Sequence, residues 1–177
     1  MSATDHLERE RQRVASAQSG DQRAWRELFD EYYPRLYSFM RVRVNDDATA
    51  EDLAAEAFVD AFRGLPRFRW RNRPFGAWLF KVARNRLRMH YRALSSRGVP
   101  VAIEADQVAS ARDETLTVDV RDALERLPVK QREAIELRYL VGLSGAEAAA
   151  AMGMSHGAFR QLLHRASREF KGQYGSE

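Results

Sequence analysis

The chain has 177 residues, a net charge of +4, 31% charged residues and 45% hydrophobic residues, which predicts one medium or two small globular domains. The absence of cysteine excludes disulfides and thiolate metal sites, and the four histidines are scattered, so we expect neither a metal nor a cofactor. No apolar run approaches the roughly 20 residues needed to cross a bilayer, and the charged start is not a signal peptide, so we expect a cytoplasmic protein without membrane insertion.

Helical periodicity covers most of the chain and no strand alternation is found, so the sequence predicts an all-α protein. The first helix is predicted over 21–43, with a kink or local break at Pro34. A turn around Asp46 is suited to cap a second helix over 48–63. Its predicted buried face consists of Ala50, Leu53, Ala54, Ala57, Phe58, Ala61 and Phe62.

A loop over 64–73 leads to a third helix that starts at Pro74 and reaches about Leu94. One side of this helix is apolar, and the other carries a row of polar side chains suited to bind several phosphates, with Asn85 able to reach a base edge. We call this set the basic row: Lys81, Arg84, Asn85, Arg88 and Arg92.

The end of the loop alternates aromatic and cationic side chains, a pattern that suits unpaired bases because each base brings a stacking face and a phosphate. We call this segment the aromatic loop: Phe68, Arg69, Trp70, Arg71, Asn72 and Arg73. For Phe68 the alternative of simply closing the loop onto the helices stays open, and for Trp78 a place in the core is favoured.

Charge is segregated along this part of the chain. Residues 63–97 carry eleven Lys or Arg and no acid, whereas 46–60 carry six carboxylates and no Lys or Arg. A basic block beside aromatic residues favours a polyanion such as nucleic acid as partner.

After a linker over 96–115, a second module is predicted from 116, with helices at 118–126, 129–140, 145–152 and 155–171. A short alanine-rich helix, a turn at Gly153 and a basic last helix capped by Ser155 are typical of a helix-turn-helix that reads the major groove. The predicted reading face is Ser155, Gly157, Arg160, Gln161, His164, Arg165 and Arg168. An ordinary helical hairpin with a solvated basic face is the alternative.

The linker permits the two modules to lie apart or to pack together, and packing would give autoinhibition.

In this order and spacing, both motifs resemble the sigma-70 family of transcription initiation factors, in its extracytoplasmic-function (ECF) group. The region 2 resemblance rests on Ala50-Glu51-Asp52-Leu53 with Glu56 and Phe58, followed by Phe75, Trp78-Leu79, Val82-Ala83 and Asn85. The region 4 resemblance rests on 123–128, 131–133, 137–139, 142–144 and 164–166. Ala55 departs from the family pattern, which often has Gln there, as do Ala148, Ala158, Phe159 and Leu162 in the second module.

The resemblance implies two small helical domains joined by a linker: a three-helix promoter-melting domain, 1–95, and a helix-turn-helix domain, 116–177. The aromatic loop and basic row would bind the melted −10 element and capture a flipped-out base, and the last helix would read the −35 element. Segment 127–140 would contact the β flap of core RNA polymerase. Contact with the β′ clamp is implied for Glu51, Asp52, Glu56 and Phe58. An anti-sigma factor is the further partner that the resemblance implies.

We therefore expect a sigma factor that directs RNA polymerase to promoters and is not an enzyme. The second hypothesis is a stand-alone helix-turn-helix regulator whose first module senses a signal or dimerises, and which would bind its operator without polymerase. An enzyme is the third, and it finds little support because the acids at 46–60 lie beside no histidine, metal motif or phosphate loop.

Overall fold

The computed structural model describes residues 3–41, 43–44, 46–70, 74–98 and 118–174, and these residues form helices and turns without a β-strand. The all-α prediction is confirmed. The described helices are α1 (Ala3–Gln18), α2 (Gln22–Arg41), α3 (Asp47–Gly64), α4 (Phe75–Ser96), α5 (Val118–Glu125), α6 (Val129–Ile135), α7 (Gly145–Ala151) and α8 (His156–Tyr174). None of them is long and apolar enough to span a membrane. Beyond residue 98, the predicted linker lies outside the described residues.

The first module contains α1 to α4, and its helix ends follow local rules. The carboxylate of Asp46 accepts a hydrogen bond from the Thr49 amide at 2.8 Å, which confirms the predicted cap of α3. Helix α2 runs through Pro34 without a break. The predicted loop after α3 begins with a 3₁₀ turn, Leu65–Arg67. Helix α1 was not predicted.

Small side chains let the helices of the first module lie close together. On α3, Ala50, Ala54, Ala57 and Ala61 are all 0% exposed, and α3 packs against both α2 and α4. Aromatic rings fill the remaining space, with Phe39 and Phe80 in an edge-to-face contact at 5.6 Å. One core prediction is wrong. Phe62 is 57% exposed because the helices around α3 cover a narrower part of its surface than the predicted buried face.

The second module is built around the predicted helix-turn-helix. Helix α6 continues into a π-helical turn, Glu136–Leu140, and Ser144 then forms a capping box with Glu147 at the start of α7. Gly153 has φ +69°, the left-handed conformation that the tight turn before α8 requires. A small core of its own holds this module together: Leu124, Leu127, Ile135 and Ala166.

The two modules are packed together, and one continuous core runs from α2, α3 and α4 into α6, α7 and the start of α8. Ion pairs cross the contact: Arg35 to Glu147 at 2.8 Å and Arg43 to Glu133 at 3.2 Å. Helix α7 comes close to α4 because Gly76 lacks a side chain, and an added Cβ there would lie 2.1 Å from Oε1 of Glu147. Of the two arrangements that the linker permits, this structure has the packed one.

Candidate nucleic-acid interface

The basic row lies along α4 and faces away from the core of the first module. Lys81, Asn85 and Arg92 are exposed, and Arg84 and Arg88 are half-buried. These positions sit at helical spacing on one long helix, so the four cationic ends and the Asn85 amide follow a single line about as long as several phosphates of one strand. The predicted clustering of these five residues is therefore present in the structure.

One member of the basic row, Arg84, is next to the second module. An added Cβ at Gly153 would lie 2.6 Å from Nη1 of Arg84, so the guanidinium rests against the turn of the helix-turn-helix. The packed arrangement thus brings the two predicted DNA-binding elements side by side and restricts access to one cation of the row.

The aromatic loop is only partly described, and the described part divides into a buried and an accessible half. Phe68 is 8% exposed, and its ring lies 4.9 Å from Trp78 and 5.9 Å from Phe75. This ring therefore closes the loop onto the helices, the alternative left open by the sequence, and offers no stacking face in this structure. Trp70 is half-buried with its ring edge-to-face on Phe68 at 6.3 Å, and Arg69 is exposed. The remaining predicted members, Arg71, Asn72 and Arg73, lie outside the described residues.

Side chains of α1 hold both ends of the aromatic loop, which the sequence analysis missed. Nε2 of Gln18 donates hydrogen bonds to the carbonyl oxygens of Leu65 at 2.9 Å and Phe68 at 2.8 Å. At the other end, the Glu10 carboxylate accepts a hydrogen bond from the Phe75 amide at 3.2 Å. Since α1 has few apolar residues, its pattern gave no sign of these contacts.

Glu10 is a buried carboxyl, 1% exposed, at the N-terminus of α4. Burial raises its pKa and nearby Glu147 adds to the rise, while hydrogen bonds from Tyr32 and from the backbone of Phe75 and Gly76 oppose it. The site suits a carboxyl group because the first amides of a helix need acceptors and carry partial positive charge.

The predicted reading face of α8 is fully accessible. All seven of its residues are exposed, including Arg160, Gln161 and Arg165. Ser155 caps the helix as predicted, its hydroxyl accepting a hydrogen bond from the Ala158 amide at 3.2 Å. Phe159 and Ala166 point the other way and are 1% and 0% exposed, so burial of the opposite face fixes which side of α8 meets solvent.

The predicted polymerase-binding residues on α3 divide into three that are exposed and one that is buried. Glu51, Asp52 and Glu56 are exposed, whereas Phe58 is 3% exposed and packs edge-to-face against Trp25 at 5.5 Å. In this structure the Phe58 ring supports the helix and does not face a partner.

Two further features of this surface were not foreseen from the sequence. Arg86 donates to Asp60 at 2.9 Å and lies 3.4 Å from Glu56, which gives a role to an arginine on the apolar side of α4. Phe62 and Val59, 57% and 46% exposed, add apolar surface beside the acids. The outer face of α3 therefore combines negative charge with exposed hydrophobic groups, as protein-binding surfaces often do.

Each of the two modules matches a known protein family. The family described as Sigma-70 region 2 matches residues 28–97, and that described as Sigma-70, region 4 matches residues 117–170. These ranges contain the basic row, the aromatic loop, the acidic face of α3 and the helix-turn-helix.

Individual proteins resemble the chain over most of its length. The ECF RNA polymerase sigma factor SigD of Mycobacterium tuberculosis is 35% identical over 170 residues, which are 89% of this chain and 80% of SigD. The ECF RNA polymerase sigma factor BldN of Streptomyces coelicolor is 36% identical over 163 residues, 88% of this chain but 62% of BldN. Among solved structures, the sigma factor RpoE in complex with the anti-sigma factor NepR from Bartonella quintana has a TM-score of 0.60 and 26% identity, covering 86% of this chain and 97% of the matched chain.

Proposed function

We infer the function of this chain from one premise: it belongs to the sigma-70 family, in the group of ECF RNA polymerase sigma factors. It is a transcription initiation factor that directs RNA polymerase to promoters. Which residues contact DNA and polymerase is the subject of the proposals that follow.

We assign recognition of the melted −10 element to the first module. The observation that carries this assignment is the exposed line of Lys81, Asn85 and Arg92 on α4, beside a loop that presents Trp70 and Arg69. Cations along one line bind the phosphates of a single strand, and Asn85 offers both a donor and an acceptor to a base. Stacking on the accessible face of Trp70 would offset the cost of unstacking a captured base, which is a few kcal/mol.

We assign −35 recognition to α8, whose exposed face carries the side chains suited to a major groove. Arg160 and Gln161 are of the types that read guanine and adenine edges. Arg165 and Arg168 continue along the helix and suit phosphate contacts, which position the helix without reading sequence.

Binding to core polymerase is proposed for two surfaces. The outer face of α3, with Glu51, Asp52 and Glu56, would dock on the β′ clamp, and the exposed Phe62 would add apolar area to that contact. Segment 127–140 would meet the β flap. Region 4 and region 2 would then be held on different subunits of the enzyme.

An anti-sigma factor is proposed as a further partner. The resembling RpoE is in complex with the anti-sigma factor NepR, and this chain covers nearly all of the matched RpoE chain. We place the chain in the cytoplasm, where polymerase and DNA are found, and we assign it no catalytic role. The buried Glu10 and Glu136, whose pKa values burial raises, lie 1% and 0% exposed within helix packing, where no substrate reaches them.

The test is a binding and transcription assay with core RNA polymerase from the same bacterium, with and without this chain. We expect the chain to co-migrate with core enzyme and to start transcripts at discrete sites on genomic DNA, whose mapped 5′ ends define the promoter. Failure to bind core, together with tight binding to duplex DNA alone, would support a stand-alone regulator, which the two family matches do not favour.

Single substitutions test whether promoter opening and binding to core polymerase depend on different surfaces. Trp70→Ala and Asn85→Ala should reduce open-complex formation, measured by permanganate reactivity of unpaired thymines, more than they reduce binding to core. Glu51→Arg should reduce binding to core first, and Gln12→Ala, at an exposed amide on α1, serves as the matched control. Equal losses of core binding and promoter opening in all variants would contradict this division.

A further inference from the structure

The aromatic loop is attached at both ends to the same helix. Gln18 of α1 holds the carbonyls of Leu65 and Phe68, where the loop begins, and Glu10 of α1 holds the amide of Phe75, where the loop ends. The two side chains lie eight residues apart, on one face of the helix and about 12 Å along its axis. A single rigid element therefore fixes the distance between the two ends of the loop.

Helix α1 is itself anchored between these two contacts. Val14, halfway between Glu10 and Gln18, is 2% exposed and belongs to the main core. The Glu10 carboxylate also accepts a hydrogen bond from the Tyr32 hydroxyl of α2. Positions 10, 14 and 18 thus form one inward stripe at helical spacing, with Glu10 and Val14 buried and Gln18 half-buried, so α1 cannot slide or rotate without breaking these contacts.

We propose that α1 is a bracket that preorganises the described part of the aromatic loop, Phe68, Arg69 and Trp70, for unpaired −10 bases, and that Gln18 is its positioning residue. A segment that becomes ordered only on binding a strand loses conformational freedom, and a segment already held by two hydrogen bonds loses less. Gln18 acts through the main chain of the loop, because its amide is directed at two backbone carbonyls.

The chemistry of Gln18 suits this task better than that of its neighbours on α1. Its terminal NH₂ supplies two donors on one nitrogen, enough to hold two carbonyls at once. A charged side chain there would bring its own desolvation cost, and a shorter amide would not span the same gap. This proposal rests on the proposed −10 function of the loop.

The experiment uses the full chain assembled with core polymerase, and its probe is a single-stranded oligonucleotide that carries the non-template −10 sequence of the mapped promoter. The main variant is Gln18→Met, which keeps the length of the side chain and removes both donors. Gln18→Glu has the same shape but brings a carboxylate against two carbonyl oxygens. The matched control is Gln12→Met, the same change at an exposed position of the same helix.

We expect Gln18→Met to bind the −10 oligonucleotide about three- to tenfold more weakly than the wild type, since two hydrogen bonds that order the loop are lost. Gln18→Glu should bind it more weakly still. Affinity for core polymerase, and affinity of the holoenzyme for a duplex carrying only the −35 element, should stay within about twofold in both variants.

Three other outcomes would contradict the proposals, each at a different point. Unchanged −10 affinity in Gln18→Met overturns the bracket. A parallel loss of −10, −35 and core affinity, with a lower melting temperature, reduces Gln18 to a general stabilising role and also overturns it. If the wild-type holoenzyme itself does not bind the −10 strand, the proposed function of the loop fails, irrespective of any variant.

Discussion

Arg43 shows how a single buried side chain connects the two modules. It is 2% exposed, donates to the Phe39 carbonyl at 2.9 Å and lies over the Phe39 ring at 3.9 Å, all within the first module. The carboxylate that it contacts, Glu133 at 3.2 Å, belongs to the second module. A guanidinium taken out of water costs several kcal/mol unless its partners replace the lost hydration, so Arg43 stabilises the chain only while the modules are packed.

We predict that Arg43→Met lowers the free energy of unfolding by about 3 kcal/mol, because Glu133 stays buried without its cation. Adding Glu133→Gln to Arg43→Met should recover about half of that loss. Urea denaturation followed by circular dichroism measures the four members of this double-mutant cycle. Strictly additive losses would mean that the two side chains stabilise the chain independently and that the ion pair contributes nothing.

At the scale of single helices, the sequence predicted the elements whose buried faces are apolar. Helix α3 was placed within one residue at each end, because its alanines recur at helical spacing and Asp46 caps it. Helix α1 was missed for the opposite reason. Its inward stripe is Glu10, Val14 and Gln18, and two polar residues out of three do not register as a hydrophobic face.

The same reasoning explains which parts of the candidate site were predictable. The basic row and the reading face of α8 follow from helical spacing alone, and their side chains lie on the predicted faces of the two helices. The exposure of Phe62 could not be predicted in this way, because helical spacing gives the direction of a side chain but not how far the neighbouring helices extend over it. The contact between the two modules could not be predicted either, since Arg35 and Glu147 are 112 residues apart in sequence.

The π-helical turn after α6 contains a carboxyl group that predicts a pH dependence. Glu136 is 0% exposed, and neither carboxylate oxygen has a hydrogen-bond partner among the described residues. Burial raises the pKa of Glu136 to about 7, Glu133 adds to the rise, and Arg43 and Arg132 oppose it. The packed chain therefore keeps a proton that the unfolded chain releases above the ordinary pKa of 4.5.

The sign of the effect follows from linkage. A raised carboxyl pKa contributes stability that is fully present below pH 4.5 and is lost as the pH rises to about 7. We predict that Glu136→Gln gains stability relative to wild type across this interval, by up to about 3 kcal/mol, because one pKa unit corresponds to about 1.4 kcal/mol. Thermal melts of both proteins from pH 4 to 8 provide the comparison. A difference that does not change with pH would mean that Glu136 has the same pKa in the folded and the unfolded chain.

For the molecule as a whole, we predict that the packed arrangement cannot bind both promoter elements at once. Helix α4 packs on α7 and α7 packs on α8, and packed helix axes lie 8–10 Å apart, so the axes of α4 and α8 approach to within about 20 Å of each other. The −10 and −35 elements are about 25 base pairs apart, or roughly 85 Å at 3.4 Å per base pair. We therefore predict that the modules separate before this chain binds both elements of a promoter, and that the packed form is inactive.

Separation should depend on the two ion pairs that cross the contact. Glu147→Gln leaves an oxygen to accept from the Ser144 amide, so α7 keeps its cap while the charge opposite Arg35 is removed. Glu133→Gln removes the charge opposite Arg43.

Because the chain has no cysteine, Ser96→Cys and Gly172→Cys, both at exposed positions, allow a donor and an acceptor dye to be attached for energy transfer. We predict that the Glu133→Gln, Glu147→Gln double variant shows lower transfer efficiency than the wild type in the absence of polymerase, and that wild type falls to the same level on binding core. Ser144→Ala is the control, since it removes the cap of α7 and keeps both ion pairs, and its efficiency should stay at the wild-type value. Low efficiency in the free wild type would mean that the modules lie apart before polymerase binds, and the ion pairs would then play no part in holding the chain inactive.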